Sequence, residues 1–371
     1  MKAELQTLTI QGFKSIRNLT EFSPGPLTVL IGPNGSGKSN LISVFRLLSW
    51  MLASPGSLAE FVARSGYAHQ LFHDGPDVTS QITAHLTIVT DVGVNEYLFR
   101  LVYGYGDDSL IFTDERFRFF RSDREGTAPW KVLGSGHREA LIIAEAEGGN
   151  VTARTMLSLL RTCKVYQFHN TSSTARMRRR WDANDNRQLK EDAGNLAPLL
   201  MRLRDEAEPY YQRIVDTLRM ILPFFADFEL RADAHGSVLL QWREQGTDIV
   251  FSPSQASDGM LRTMALIALL CQPEDDLPEV LILDEPELGL HPYAITAVAG
   301  LFRSVSTHVQ VMVATQSASL VDQFDPEHIV VVSRKGRESR FERLDPKRLE
   351  GWLEDYSIAE LWEKNVLGGR P

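Results

Sequence analysis

The stretch Leu27-Thr28-Val29-Leu30-Ile31-Gly32-Pro33-Asn34-Gly35-Ser36-Gly37-Lys38-Ser39 runs from a nearly all-apolar segment into a glycine-rich loop. A segment without polar alternation is the pattern of a strand buried on both faces, as in a parallel sheet. Beyond the loop, Leu41, Ile42, Val44, Phe45 and Leu48 recur at helical spacing. Residues 32–39 fit G-x-x-x-x-G-K-[ST], the P-loop, and the flanking strand and helix supply the context that motif needs. The glycines let backbone N–H groups turn inward around phosphate oxygens, and the helix N-terminus behind adds partial positive charge. Asn34, Gly35, Ser36, Gly37, Lys38 and Ser39 are therefore candidate nucleotide-binding residues. Lys38 is expected to reach the β- and γ-phosphates, and the Ser39 hydroxyl to ligate Mg²⁺.

Outward from this loop, composition narrows the class. A chain of 371 residues corresponds to about two or three structural units. Hydrophobic residues at 43% and charged residues at 23% are the proportions of a globular protein, which excludes a disordered or fibrous chain. The net charge of -9 argues against a globally basic nucleic-acid coat but leaves room for a local basic patch. Two cysteines, Cys163 and Cys271, make neither a disulfide framework nor a four-ligand zinc site, so a reducing, cytoplasmic setting is expected. The N-terminal residues lack the apolar core of a signal peptide. The longest apolar run, Met264 to Cys271, is far below the roughly 20 residues that span a bilayer, so no membrane partner is expected.

Two further elements carry chemistry. The apolar run Val280-Leu281-Ile282-Leu283 ends in Asp284-Glu285-Pro286-Glu287, a Walker B pattern. Asp284 is expected to hold the Mg²⁺ shell and Glu285 to polarise the attacking water, because phosphoryl transfer depends on positioning and electrostatics. Ser254-Gln255-Ala256-Ser257-Asp258-Gly259-Met260-Leu261-Arg262 opens an apolar helix. Ser257 or Asp258 would cap it, and a capped N-terminus is also an anion site.

Elsewhere, alternating runs at 82–88, 97–102 and 115–119 read as a solvent-facing antiparallel meander. Residues 152–162 read as helix, 163–168 as strand, and 192–222 as a long helical stretch with Pro198 and Pro209 as starts or kinks. The last third alternates helix 261–270, strand 280–283, helix 293–306, and strands 309–314 and 329–333. That alternation implies an α/β fold. The expected organisation is residues 1–53 as the first part of a core, 54–168 as a β-rich and helical insertion, 169–250 as a helical subdomain with strands, and 251–371 completing the core in one shared sheet.

Taken together, the chain resembles the RecF/SMC/Rad50-like branch of ATP-binding-cassette ATPases, in its compact RecF-type or AAA_21-like form. The resemblance rests on Ile10 to Ser15, Gly32 to Asn40, Ser257-Asp258-Gly259, Asp284 to Pro292, and Gly368-Gly369-Arg370-Pro371. It covers residues 54–160 poorly. It implies an ABC-ATPase head with a P-loop parallel sheet, an antiparallel β subdomain and a helical insertion. It further implies ATP and Mg²⁺ as cofactors, with Asn40 in the nucleotide loop and ATP held between two head-to-tail subunits. Ala256-Ser257-Asp258-Gly259 would stand in the place of the signature motif of these ATPases, with Ser257 and Gly259 of one subunit facing the γ-phosphate held by the other. Residues 289–292 would form the subunit contact, Gln167 would touch Mg²⁺ and water, and Gln316 would occupy the catalytic switch position.

Three departures stand out. Gln316 replaces a common histidine and donates a hydrogen bond without carrying charge. No heptad arm or zinc-hook Cys-x-x-Cys separates P-loop from signature, and no appended nuclease pattern follows. The cluster Arg176, Arg178, Arg179, Arg180 with Trp181 could grip a DNA backbone, or could pair with Asp182, Asp185, Glu191 and Asp192 as a solvated face. The expected function is an ATP-hydrolysing, ATP-gated homodimer acting on DNA or on a DNA-processing effector, in genome maintenance or phage defence. The alternatives are an ATP-dependent scaffold regulating a partner nuclease or toxin, and the nucleotide-binding subunit of a transporter. The missing LSGGQ and the long separation of P-loop from Walker B argue against the transporter subunit.

Overall fold

The computed structural model describes residues 3–121 and 128–369, so Arg370 and Pro371 of the C-terminal glycine segment lie outside the described residues. The chain forms two compact units, Met1–Lys164 with Pro326–Pro371, and Val165–Asp325.

In the first unit, the alternating segments form the antiparallel meander that their pattern implied. Ile82–Thr90 buries every second residue, and it pairs with Gly93–Gly104, which pairs with Ser109–Arg121, which pairs with Lys131–Gly134. The meander is extended by the first two strands of the chain. Ala3–Phe13 pairs antiparallel with Ile82–Thr90 on one side and with Ile16–Phe22 on the other, completing a six-stranded sheet. The turn between those two strands contains Lys14 in the left-handed region, φ 49°, with its N–H donated to Leu71 O at 2.8 Å. The same unit holds Leu27–Ile31, buried at all positions, parallel to Ile329–Lys335 with Ile31 opposite Val331. Glu338–Arg343 closes this group antiparallel to Ile329–Lys335. The helix Lys38–Met51 leaves the loop after Leu27–Ile31.

In the second unit, Val280–Asp284 and Gln310–Thr315 are buried throughout and run parallel, with Asp284 opposite Ala314. The helix Pro292–Val305 makes the crossover that parallel strands require. The expected helical stretch divides into Leu196–Glu206 and Glu208–Ile221, separated by Ala207 at φ −142°, with Pro209 in the first turn of the second helix. The apolar helix Asp258–Cys271 buries nearly its whole circumference. Cys163 and Cys271 are both buried, and neither forms a disulfide among the described residues. Among the described residues no helix is long and apolar enough to cross a membrane.

One buried charge organises the meander. Glu115 has no exposed surface and accepts the Tyr97 hydroxyl at 2.8 Å, His137 Nε2 at 2.8 Å and the N–H groups of Leu141 at 2.8 Å and Ile142 at 3.1 Å. Removing it would leave buried donors unpaired. Glu115→Ala should lose about 3–5 kcal/mol of stability in urea unfolding, as breaking a buried ionic network does, and Glu115→Gln distinctly less.

Candidate functional site

The P-loop is built within the first unit. Gly32, at φ 152°, lies so close to the Val332 carbonyl that any Cβ would collide with it. Gly37, at φ 116°, is pressed against the Ser339 hydroxyl in the same way. These contacts explain why the loop needs glycine there, beyond the turn itself. Ser339 is 1% exposed and donates its hydroxyl to Ser36 O at 2.6 Å. A hydroxyl has one proton, so the Ser15 hydroxyl, 2.6 Å away, must donate to Ser339 Oγ. Ser15 Oγ in turn accepts the Asn40 amide at 2.6 Å. This relay fastens the loop to the first hairpin turn and to Glu338–Arg343, and it gives Ser15 and Ser339 roles that sequence motifs did not announce.

The loop's ligand-facing groups fit a polyphosphate. Lys38 is 5% exposed, and its ammonium donates to the carbonyls of Gly32 and Pro33. Those carbonyl oxygens occupy the role of phosphate oxygens. Ser36 Oγ is buried with no hydrogen-bond partner among the described residues, a polar group left for a ligand to satisfy. Asn34, Gly35 and Ser39 are exposed at the loop. A cavity of about 420 Å³ adjoins it, lined by Ser15 and Asn40 and by the cations Lys14, Arg334 and Arg337. Lys14 donates to Ser43 Oγ at 2.8 Å, and burial, then the charge of Arg46, lowers its pKa.

The second unit assembles the remaining candidates. Asp284, 9% exposed at its strand end, accepts the Gln167 amide at 3.3 Å. His169, which sequence reading passed over, supports this pair. Its Nδ1 lies 3.1 Å from Gln167 Nε2 and its Nε2 lies 3.1 Å from Asp284 O. The amide donates to Nδ1, so the imidazole proton sits on Nε2 and points to the carbonyl. The only sequence signal for His169 was its position two residues past Gln167 on an extended segment. Glu285 adopts φ 47°, donates its N–H to Ala314 O at 2.8 Å and accepts the Gln316 amide on its carboxylate. The structure therefore joins Gln167 with Asp284, and Gln316 with Glu285. An aspartate and an amide are hard oxygen donors of the kind Mg²⁺ takes alongside water.

At the signature segment, Ser257 is the helix cap, accepting the Met260 N–H at 3.2 Å. Asp258 does not cap; it pairs with Arg178 at 3.1 Å. Gly259 lies against Gly289, and a Cβ there would run into the Gly289 carbonyl oxygen. Arg262 joins the pieces, donating to Phe168 O at 3.1 Å, His169 O at 3.0 Å and Leu288 O at 3.3 Å. The arginine cluster is largely spoken for within the chain. Arg178 donates to the carbonyls of Thr171 (2.8 Å), Ala256 (3.2 Å) and Pro253, and so clamps the signature loop. Arg176 reaches Asp192 at 3.5 Å, and Arg180 reaches Asp233 at 2.8 Å. Of the four acids nearby in sequence, Asp192 pairs with Arg176, and the charge of Arg176 also acts on Asp185.

A family model described as AAA domain, putative AbiEii toxin, Type IV TA system (AAA_21) matches residues 27–322. The chain belongs to this family. Among curated relatives, this AAA_21 chain is 44% identical over 137 residues to chromosome partition protein Smc of Mycolicibacterium paratuberculosis, covering 36% of this chain and 10% of that protein. It is also 37% identical over 90 residues to urease accessory protein 2 of Cryptococcus neoformans, 24% of this chain and 7% of that protein. The matches thus span a tenth or less of those relatives' lengths. The fold is that of solved Smc heads. One, bound to the C-winged helix domain of ScpA, superposes with a TM-score of 0.60 at 16% identity, covering 94% of this chain and 99% of that one. Another, with an extended coiled coil, bound to the C-terminal domain of ScpA and derived from Pyrococcus furiosus, gives 0.57 at 16% identity over 95% and 99%.

Two outcomes follow from the geometry of the AAA_21 site. Ser339→Ala leaves Ser36 O and the Ser15 hydroxyl without their partner in a buried place; affinity for ATP should fall about tenfold in a fluorescence titration, the equivalent of roughly 1.4 kcal/mol. Gly259→Ala forces the signature helix away from Gly289; thermal denaturation should show a loss of about 1–3 kcal/mol, as overpacking does.

Proposed function

We propose that this chain is a Mg²⁺-dependent, ATP-hydrolysing ATPase of the RecF/SMC-like type that works as an ATP-gated head-to-tail homodimer. The observation that carries the reading is the P-loop itself. Its lysine is folded onto two carbonyl oxygens, and Ser36 Oγ is buried without a hydrogen-bond partner among the described residues. Asn34 to Asn40 hold the triphosphate in this scheme, with Lys38 as the mobile cation. Ser39, Asp284 and Gln167 hold Mg²⁺, which when bound draws charge from the β- and γ-phosphate oxygens. Glu285 orients water, and Gln316 steadies that carboxylate while sensing the γ-phosphate. Ser257 and Gly259 serve the nucleotide of the partner subunit, and residues 289–292 meet that subunit.

The work done by the ATP cycle is on DNA or on a DNA-processing effector, in a cytoplasmic setting, within genome maintenance or phage defence. Exposed Arg176, Arg179 and Arg180 are the DNA-contacting part of the cluster, while Arg178 acts inside the chain. A partner protein docking on the head is supported by analogy with the ScpA domains on the solved Smc heads. The second reading, a scaffold that regulates a partner toxin, is favoured only by the toxin wording of the family description.

Lys38→Ala should abolish ATP binding in a titration, because the triphosphate then lacks its cation. Glu285→Gln should bind ATP and retain it, giving a more persistent dimer than wild type by light scattering with ATP and Mg²⁺. A monomer under those conditions would overturn the head-to-tail model. Replacing Arg179 and Arg180 by Ala should flatten the salt dependence of DNA binding by about one log–log unit per lost phosphate contact, with basal ATPase intact. Unchanged slope and affinity would remove DNA contact from the cluster.

A further inference from the structure

The turn after Val280–Asp284 and the end of Gln310–Thr315 are tied together by more than the bond from Gln316 to Glu285. Glu287 is 8% exposed, and Thr315 is fully buried. The Thr315 hydroxyl donates to Glu287 Oε1, and Thr315 Oγ1 accepts the Ser317 N–H at 2.9 Å. The other carboxyl oxygen, Glu287 Oε2, is buried with no hydrogen-bond partner among the described residues. Burial pushes this carboxyl up in pKa. The Thr315 hydroxyl and the backbone N–H of Glu287 act against the rise, the charge of Glu285 adds to it, and the Gln316 N–H opposes it.

A buried acid with an idle oxygen is costly, and an apolar pair of similar size would pack there with less penalty. The strands on either side bury apolar side chains and do not call for it. What the group does hold is specific. Its carboxyl takes the Thr315 hydroxyl and the Gln316 N–H, and Thr315 in turn takes the Ser317 N–H; the middle member of these three consecutive residues carries the amide resting on Glu285.

We propose that Glu287 is a positioning residue that, through Thr315, latches the 315–317 turn to the Walker B turn and so holds the Gln316 amide on the Glu285 carboxylate. The backbone bond from Glu285 N–H to Ala314 O sets the two turns side by side, but it stops one residue short of Gln316's neighbourhood. The latch supplies the missing restraint. Without it, Thr315 loses its acceptor, the Ser317 N–H loses a fixed partner, and the Gln316 side chain samples rotamers away from Glu285. Glu287 touches neither nucleotide nor water in this scheme; it acts through the geometry of its neighbours. The role in turnover rests on the reading of Glu285 as the water-orienting carboxylate.

The test uses the full chain and two readouts, steady-state ATPase kinetics and amide hydrogen exchange over residues 314–318. Glu287→Leu and Thr315→Val should each lower kcat about 10- to 100-fold, the scale of a small misplacement of a catalytic group, while KM for ATP moves by less than about twofold. Glu287→Gln keeps an oxygen to accept the Thr315 hydroxyl, and Thr315→Ser keeps the hydroxyl; both should stay within about threefold of wild-type kcat. The double variant Glu287→Leu/Thr315→Val should be no worse than the weaker single, because both remove one latch. Exchange at residues 315–317 should quicken in the Leu and Val variants and stay slow in Glu287→Gln. Additive losses in the double variant, a loss carried by KM, or unaltered exchange at 315–317 would each overturn the latch. If wild type binds ATP but does not turn it over, the hydrolytic reading of Glu285 falls, and the exchange measurement alone then decides whether Glu287 restrains the turn.

Discussion

Parallel pairing of buried strands is the constraint on which the candidate site depends. Val280–Asp284 and Gln310–Thr315 run in the same direction with Asp284 opposite Ala314. Their polar continuations must therefore leave the sheet at the same edge and the same level. That placement lets Glu285 bond to Ala314, Gln316 to Glu285, and Thr315 to Glu287. The same logic operates in the other unit. Ile31 lies opposite Val331, so Gly32 enters its loop directly beside the Val332 carbonyl, where no side chain fits. In open α/β sheets, ligands gather at the carboxyl ends of strands because that is where such loops converge.

The polar groups at these ends are buried, and burial makes their partners obligatory. The Ser15–Ser339–Asn40 relay shows one solution. Each hydroxyl proton has a single destination, and the chain of bonds ends on a P-loop carbonyl. Arg262 and Arg178 show another. Each spends most of its fork of N–H donors on carbonyl oxygens of neighbouring loops. Arginine suits this work because its donors are fixed in a plane and stay charged at any working pH. Loop positions are thereby set by long side chains reaching from neighbouring elements.

The motifs whose function comes from backbone geometry were readable directly. Glycine spacing, a following helix and acids after an apolar run are local patterns, and each maps onto one local structure. The antiparallel meander was equally legible, since period-two alternation is local too. Less visible was the extension of that meander by Ala3–Phe13 and Ile16–Phe22, because strand partners are chosen by distant faces. The strands expected after the helical stretch, Phe225–Phe228, Trp242–Glu244 and Val250–Phe251, could not be bounded, for another reason. Runs of two to four residues are too short to display a period. The partners of the arginine cluster were less legible, because charge runs do not state them. Three of its side chains turn to Asp192, Asp258 and Asp233, two of them more than fifty positions away.

By itself the sequence determined the kind of loop at residues 32–39, the acids at 284 and 285, the capped signature helix and the α/β class. These follow from local conformational preference and hydrophobic period, which act over a few residues. Only the tertiary structure decided that Ser257 rather than Asp258 caps, that Arg178 clamps the signature loop, that His169 and Gln167 share Asp284, and that Glu287 is buried against Thr315. Hydrogen bonds between residues remote in sequence depend on register and on which groups lose water when elements pack. No local pattern encodes either quantity, so those assignments wait for the fold.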